Sequence, residues 1–370
     1  MSFSYWELNT WFQNVDYTIV GSGIVGLHAA LQLREKFPSS KILILEKGLL
    51  PEGASTKNAG FACFGSISEI LEDIRNSTEQ EVADLVQRRW HGLQILRNRL
   101  GDNAIDFKQY GGYELFLKKE NTIYNDCLEK LPFINNILNP IFKSSVFEKK
   151  SNLFAFNNIK ENIIFNPFEG QIDTGKMMQA LLQLAYSKGI LILNNQKVSN
   201  FYDNDIGVDV EVNYFSFKTK KLFFATNGFA AEITNNAVKP ARAQVLITEP
   251  IKNLHIKGTF HLDQGYYYFR NINNRILFGG GRNMDFKTET TTSFGETPLI
   301  QNKLEEILKT VILPKQEVKI AHRWSGIMGV GESKSPIVKA LSTNVFCGVR
   351  LGGMGVAIGS LVGYELGNMT

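Results

Sequence analysis

Residues 16–46 constrain this chain more than any other stretch. Asp16-Tyr17-Thr18-Ile19-Val20 reads as a short buried strand, and Gly21-Ser22-Gly23-Ile24-Val25-Gly26 follows at once. An apolar helical pattern (Leu27, Ala30, Leu31, Leu33) runs to Glu35. A Pro38-Ser39-Ser40 turn leads to a second strand, Lys41–Leu45, which ends on Glu46 and Lys47. This is a complete βαβ unit with the glycine spacing of a dinucleotide site. Gly21 allows the tight turn, Gly23 lets a pyrophosphate approach the backbone, and Gly26 lets the helix lie close on the strand. Phosphates then meet the free N–H groups and dipole of the helix N-terminus, where Ser22, Ile24 and Val25 also lie. Glu46 comes about 20 residues beyond the glycines, the usual place for a ribose hydroxyl partner.

A chain of 370 residues can bury one or two full cores. It is 44% apolar and 21% charged, an ordinary globular composition. The formal charge of +4 gives no support for a nucleic-acid or membrane surface. Cys63, Cys127 and Cys347 are few, odd in number and far apart, which argues against a disulfide framework or a zinc site and fits a reducing cytoplasm. The segment Met1–Asn14 lacks the basic region and apolar core of a signal peptide. The apolar run Val345–Val362 is crowded with glycine and interrupted by Arg350, so it reads as a strand–turn–helix and not as a transmembrane segment.

Further along, Glu69–Leu100 reads as one or two helices, Ile105–Leu117 as a strand pair broken at Gly111-Gly112, and Thr122–Leu131 as a helix. Gly170-Gln171-Ile172-Asp173 opens a second βα pattern, with a helix at Thr174–Lys188 and a strand at Ile190–Leu193. A meander begins at Val198 and ends at Ala225-Thr226-Asn227-Gly228. Antiparallel strands follow at Ala243–Thr248, Gly265–Arg270 and Arg275–Gly279. Leu299–Leu308 is a helix, Val318–Met328 and Val345–Val349 are strands, and a final helix starts at Ala357. The order predicts an α/β chain with a discontinuous Rossmann-like nucleotide domain (residues 1–85, 150–235 and 320–370). An antiparallel-sheet α+β substrate domain (86–149 and 236–319) is inserted twice.

Three features favour FAD as the dinucleotide. The small residues Gly53-Ala54-Ser55-Thr56-Lys57-Asn58-Ala59-Gly60 let a long flat ligand run over the backbone, and their hydroxyls can bond phosphate or ring oxygens. No second G-x-G-x-x-G serves a separate nicotinamide nucleotide. The chain returns at Arg350-Leu351-Gly352-Gly353-Met354-Gly355-Val356-Ala357, a glycine turn opening a helix whose N-terminus can face the N1–C2=O edge of a flavin.

These markers, in this order, resemble the D-amino-acid oxidase superfamily of FAD enzymes, which includes glycine, sarcosine and γ-glutamylputrescine oxidases. Gln244–Pro250, Tyr266–Arg270, Arg275–Gly281 and Trp324-Ser325-Gly326-Ile327 add to the pattern. The resemblance implies a doubly wound FAD domain, a substrate lying between a large antiparallel sheet and the flavin, adenine contacts near Val198, and a flavin-facing role for Asn58, Ala59 and Gly60. Some relatives bind flavin covalently through a Cys after the Trp-Ser-Gly-like strand or a His in the Ser-Thr segment. Here those places read Ile327-Met328-Gly329-Val330 and Lys57-Asn58, so the expected FAD is non-covalent; Cys63 and Cys347 read as buried structural thiols.

Relatives that act on amino acids place a carboxylate-clamping arginine after the Trp-x-Gly strand. Met328 stands in that region, so the usual clamp is missing, and Arg350 is the candidate replacement. The run Tyr266-Tyr267-Tyr268-Phe269-Arg270 is the expected cavity wall. Alternation puts Tyr267 and Phe269 on one face and Tyr266, Tyr268 and Arg270 on the other, and the resemblance assigns the active-site role to Tyr267. His28, His261 and His322 lack partner spacing and read as structural.

The expected activity is oxidation of a C–N bond in a small amine or amino acid by hydride transfer to flavin N5, with oxygen, a quinone or an electron-transfer protein as acceptor. Two alternatives stand beside it: a flavoprotein acting on a modified nucleoside in RNA, and a flavin-bound protein that serves a partner without turnover.

Overall fold

The computed structural model describes residues 3–213 and 215–370; Met1 and Ser2, where the signal-peptide reading begins, lie outside it. Strand Val15–Val20 is apolar enough to be covered on both faces, and it sits in the middle of an eight-stranded sheet. It pairs in parallel with Ile42–Leu45 on one side and Phe215–Phe224 on the other. Leu191–Leu193 and Val345–Val349 extend the parallel set outward. Helices Ile24–Lys36, Thr174–Ser187 and Gly355–Gly367 bury their apolar residues in one core. The other face is not wound with helices. The antiparallel meander Val198–Asn204, Gly207–Val212 and the start of Phe215–Phe224 supplies the apolar residues there.

The second sheet also has eight strands, in the order Ile320–Val330, Lys239–Thr248, Arg275–Gly280, Tyr267–Ile272, Thr259–Leu262, Gly112–Glu114, Asn162–Asn166, Glu148–Ser151. Every neighbouring pair is antiparallel except Thr259–Leu262 with Gly112–Glu114. One face packs Phe260, Phe269, Phe278 and Tyr267 against helix Pro298–Ile307; the Phe260 and Phe269 rings stack at 4.6 Å. The register sets the other face. Trp324, Val245, Gly279, Tyr268, His261 and Glu114 lie opposite one another across six strands, so they form a single row.

Several boundaries differ from the sequence reading. Strands Asn162–Asn166 and Ile320–Val330, assigned from sequence to the nucleotide domain, are built into the second sheet. Helix Glu79–Leu100 serves both halves: Leu85, Leu93 and Leu96 enter the nucleotide-domain core, while Val82 and Val86 pack on helices Ile67–Asn76 and Asn121–Phe142. That last helix continues past Leu131 through Pro132 and Pro140, because Ile134 and Leu138 are fully buried beyond the expected stop. Only Gly112–Glu114 of the segment Ile105–Leu117 is strand, and strands Thr259–Leu262 and Ile337–Ala340 were not legible.

Candidate active site

A single cavity of about 910 Å3 runs from the glycine motif to the inner face of the second sheet. Its volume lies at the upper end of the range for ligand and cofactor sites. Two helix N-termini open onto it. Helix Ile24–Lys36 begins at Gly23 and helix Gly355–Gly367 at Met354, and neither has a side-chain cap. The first residues of helices Glu79–Leu100 and Thr174–Ser187 do not line the cavity, and these helices are capped by Thr78 and Asp173. Apart from the Ile24 N–H, which Ser55 Oγ accepts, the free N–H groups at the cavity-facing ends fit phosphate at one helix and the flavin's electron-rich edge at the other. An added Cβ at Gly26 would fall on the Gly21 carbonyl oxygen, so glycine is required there for the helix to lie on the strand.

Of the expected nucleotide-site residues, Gly21, Gly23, Ile24, Val25, Glu46, Lys47, Ala54, Ser55, Lys57, Asn58, Ala59, Gly60, Val198, Ala225, Thr226, Asn227, Gly352, Gly353, Met354, Gly355 and Val356 line this cavity. Ser22, Gly26 and Thr56 do not; they shape its wall. The Ser22 N–H and hydroxyl donate to Glu46 Oε2 at 3.0 and 2.8 Å, and the Gly48 N–H donates to Oε1, which fixes the carboxylate. The Thr56 hydroxyl closes its own turn on Pro51 O. The Ile24 N–H donates to Ser55 Oγ at 3.0 Å. The Asn58 side chain is spent on its own loop: Nδ2 donates to Ala54 O and Ser55 O, and Oδ1 accepts from Gly60 N–H and Thr174 Oγ1. Asn227 Oδ1 likewise accepts from Arg350 and Leu351 N–H and holds the last glycine turn in place.

Two expected substrate residues are placed elsewhere. Tyr267 lies on the outer face of its strand, in the apolar core with Phe278 and Ile300, and does not line the cavity. Tyr268 does. The pleat alternates from Tyr267 to Arg270 and turns Tyr268 to the cavity, while Tyr266 lies in the preceding turn, exposed against Phe286 and outside the cavity. Opposite Tyr268 stands Gly279, and an added Cβ there would come within 2.7–2.9 Å of the Tyr268 ring and hydroxyl oxygen. The missing side chain gives the ring room to lie across the neighbouring strand, edge-on to Phe61 at 5.5 Å. Burial pushes the Tyr268 phenol up to about 12, so it stays protonated and can donate a hydrogen bond. Arg350 turns away: its Nε donates to Ser335 O at 2.9 Å and its stem packs on Gly331. It braces a loop and does not line the cavity. Arg270, on the Tyr268 face, is almost wholly buried and donates to Ala59 O and Ile172 O, tying the sheet to the cofactor segment.

The sheet end also holds groups that the sequence reading set aside. His261 and Cys63 line the cavity together with Glu69. His261 Nε2 meets Glu169 Oε2 at 2.9 Å, and Thr259 Oγ1 donates to the same oxygen. Burial alone would push the imidazole down, but the Glu169 charge, their hydrogen bond, and Glu69 and Glu114 outweigh it and hold His261 at about 9. Glu114, the next residue in the row, is buried, which raises it to about 7 against hydrogen bonds from Ser68. Glu169 lies 92 residues from His261, so no local spacing could have announced the pair. His28 is buried with Nδ1 on Ile24 O and does not line the cavity. Trp324 Nε1 donates to Lys57 O at 2.9 Å, and the buried Arg242–Glu289 pair, at 2.7 and 2.8 Å, anchors the loop carrying Thr292 at the cavity edge.

Comparison with known proteins agrees with this geometry. The chain is 21% identical over 387 residues to a probable oxidoreductase, OrdL, of Haemophilus influenzae, covering 96% of this chain and 82% of that protein. Glycine oxidase from Geobacillus kaustophilus has the same fold at a TM-score of 0.76, with 18% identity over 94% of this chain and 92% of that one. L-proline dehydrogenase from P. horikoshii superposes at 0.74, also at 18% identity, over 96% and 93%. No helix among the described residues is long and apolar enough to cross a membrane. The family model for FAD dependent oxidoreductases matches residues 16–369, and neither Met328 nor Lys57 offers a covalent anchor, so the chain belongs to the FAD-dependent oxidoreductases of the D-amino-acid oxidase superfamily and holds its FAD non-covalently.

Proposed function

We propose that the protein oxidises the C–N bond of a small amine or amino acid. The observation that carries this is the continuity of the cavity: it passes from the helix ends at Gly23 and Met354 to a wall of Phe61, Tyr268 and His261 beyond the Ala59-Gly60 segment. When bound, FAD supplies a hydride acceptor at N5. The chain's own residues then have three tasks. Ala59, Gly60 and the Gly352–Gly355 turn leave backbone close enough to carry a flat ring. The aromatic wall of Phe61 and Tyr268 excludes water and orients an alkyl chain. The Tyr268 hydroxyl, protonated at neutral pH, donates to the substrate. No strong base is required, because hydride transfer needs only a neutral amine held in line. Three free, buried cysteines fit a reducing, cytoplasmic setting.

The test is an anaerobic visible spectrum of the FAD-loaded protein before and after addition of amines and amino acids. Bleaching of the flavin by one class supports the reading and identifies that class. A flavin that no amine or amino acid reduces overturns it.

A further inference from the structure

We infer that the sheet end of the cavity receives a cationic group, and that the Glu69 carboxylate selects it. This rests on the amine-oxidising reading and narrows it to amines that carry a second, non-reacting positive charge.

Glu69 is held by its own helix. It is the third residue of Ile67–Asn76, and its Oε2 accepts the Ser66 N–H at 3.0 Å. Its Oε1 has no hydrogen-bond partner among the described residues, and no Lys or Arg nitrogen lies within 4 Å of the carboxylate among them. Gly265, at φ +79°, brings backbone against the carboxylate; a Cβ there would sit 2.6–2.9 Å from its carboxyl atoms. The group is therefore wedged in place and presented to the cavity, which both residues line.

The neighbouring cations are otherwise engaged. His261 is hydrogen-bonded to Glu169; the Glu69 charge helps keep it protonated, but no bond joins the two among the described residues. Arg89 is buried behind the wall with Nη1 on Phe64 O; its charge is felt by Asp73 and by Glu69, but it makes no ion pair with Glu69 among the described residues. The basic residues that line the cavity lie elsewhere. Lys47 pairs with Glu52 and covers the Phe229 ring, and Lys197 adjoins Val198 at the nucleotide end. Lys57 stands at Gly326, four strand positions from His261, which is roughly 19 Å at about 4.8 Å per strand. Met328 occupies the place where a carboxylate clamp would be expected. An anionic tail at the sheet end meets an open carboxylate and no free cation. A cationic tail meets the carboxylate and the faces of Phe61 and Tyr268. The charge serves a group other than the reacting nitrogen, since a carboxylate beside that nitrogen would keep it protonated and unreactive.

The experiment uses FAD-loaded protein and three probes of equal chain length: 1,4-diaminobutane, butylamine and 4-aminobutyrate. Dissociation constants come from perturbation of the flavin spectrum, and reduction rates from anaerobic stopped flow. The diamine is expected to bind about 10- to 100-fold more tightly than butylamine, with 4-aminobutyrate weakest. Glu69→Gln keeps an acceptor for the Ser66 N–H, so its flavin content and melting temperature should match the parent. It should erase the diamine preference, bringing the diamine down to the level of butylamine. A preference that survives Glu69→Gln, a preference for the anion, equal loss for all three probes (the signature of a general base), or no binding by any probe overturns the inference. If the diamine binds through Glu69 but none of the probes, nor any other amine or amino acid, reduces the flavin, the charge assignment stands and the oxidation reading fails. If amines reduce the flavin with no charge preference, the reverse holds.

Discussion

The two ends of the cavity are made of different material. The nucleotide end is mostly backbone: a glycine turn, two uncapped helix ends and one carboxylate fixed by Ser22. The sheet end is mostly side chains, and Phe61, Glu69, His261, Tyr268 and Met328 reach it from different segments of the chain. Backbone sites need particular residues at fixed local offsets, because glycine conformations and helix starts are local. A side-chain wall needs only that the right residue arrive at the right place, and strand register decides that. One end therefore carries a motif, and the other does not.

Perturbing each end should separate the two designs. The largest effect is expected from Gly26→Val, which drives a side chain onto the Gly21 carbonyl. The product should be flavin-free or insoluble, read as the loss of visible absorbance relative to protein absorbance. Flavin retained at parental levels would show that the helix can shift, and would break the backbone account.

Arg270→Met leaves the Ala59 and Ile172 carbonyls without their donor. It should cost ~2–4 kcal/mol in denaturant unfolding, with reduced flavin content. At the sheet end, Tyr268→Phe should slow flavin reduction by a reducing substrate about 10-fold, the worth of one hydrogen bond, while Tyr267→Phe stays within about 2-fold. The opposite pattern would restore the register implied by resemblance.

A pH effect sharpens the contrast further. His261 is raised above its unfolded value, so its contribution to stability is present in full below about 6.5 and is lost as pH rises through about 9. Glu114 is raised as well, so its protonated form favours folding below its unfolded value, and that stability is lost as pH rises through about 7. The melting temperature should fall between these limits. Glu114→Gln should flatten the lower part of the fall and His261→Gln the upper part. A melting temperature that rises with pH over this range would contradict the pairing. The smallest effect is expected from Arg350→Ala: under ~1 kcal/mol of stability, with little change in flavin reduction by any substrate. A large loss confined to anionic substrates would return Arg350 to the site.

The βαβ unit at residues 16–46, the small-residue segment at 53–60 and the closing glycine turn were each legible in the sequence, because each is a local statement about φ, ψ and helix ends. The cofactor and the family followed from them. Alternation along Tyr267–Arg270 divides the strand into two faces, with Tyr266 left in the turn before it, but local pattern could not say which face looks inward. That depends on Gly279 in the adjacent strand and on helix Pro298–Ile307 covering the other side. Likewise His261 had no visible partner, because Glu169 meets it from 92 residues away and Glu114 stands beside it only when the short strands at Gly112 and Thr259 pair in parallel. Arg350 was plausible from its place before the turn, but its side chain follows a positive φ of 67° outward to Ser335. The sequence by itself determined the dinucleotide frame, since free N–H groups and glycine conformations are set within a few residues. The tertiary structure alone decided the chemistry of the substrate end, since long-range strand pairing sets which charges and rings share a cavity.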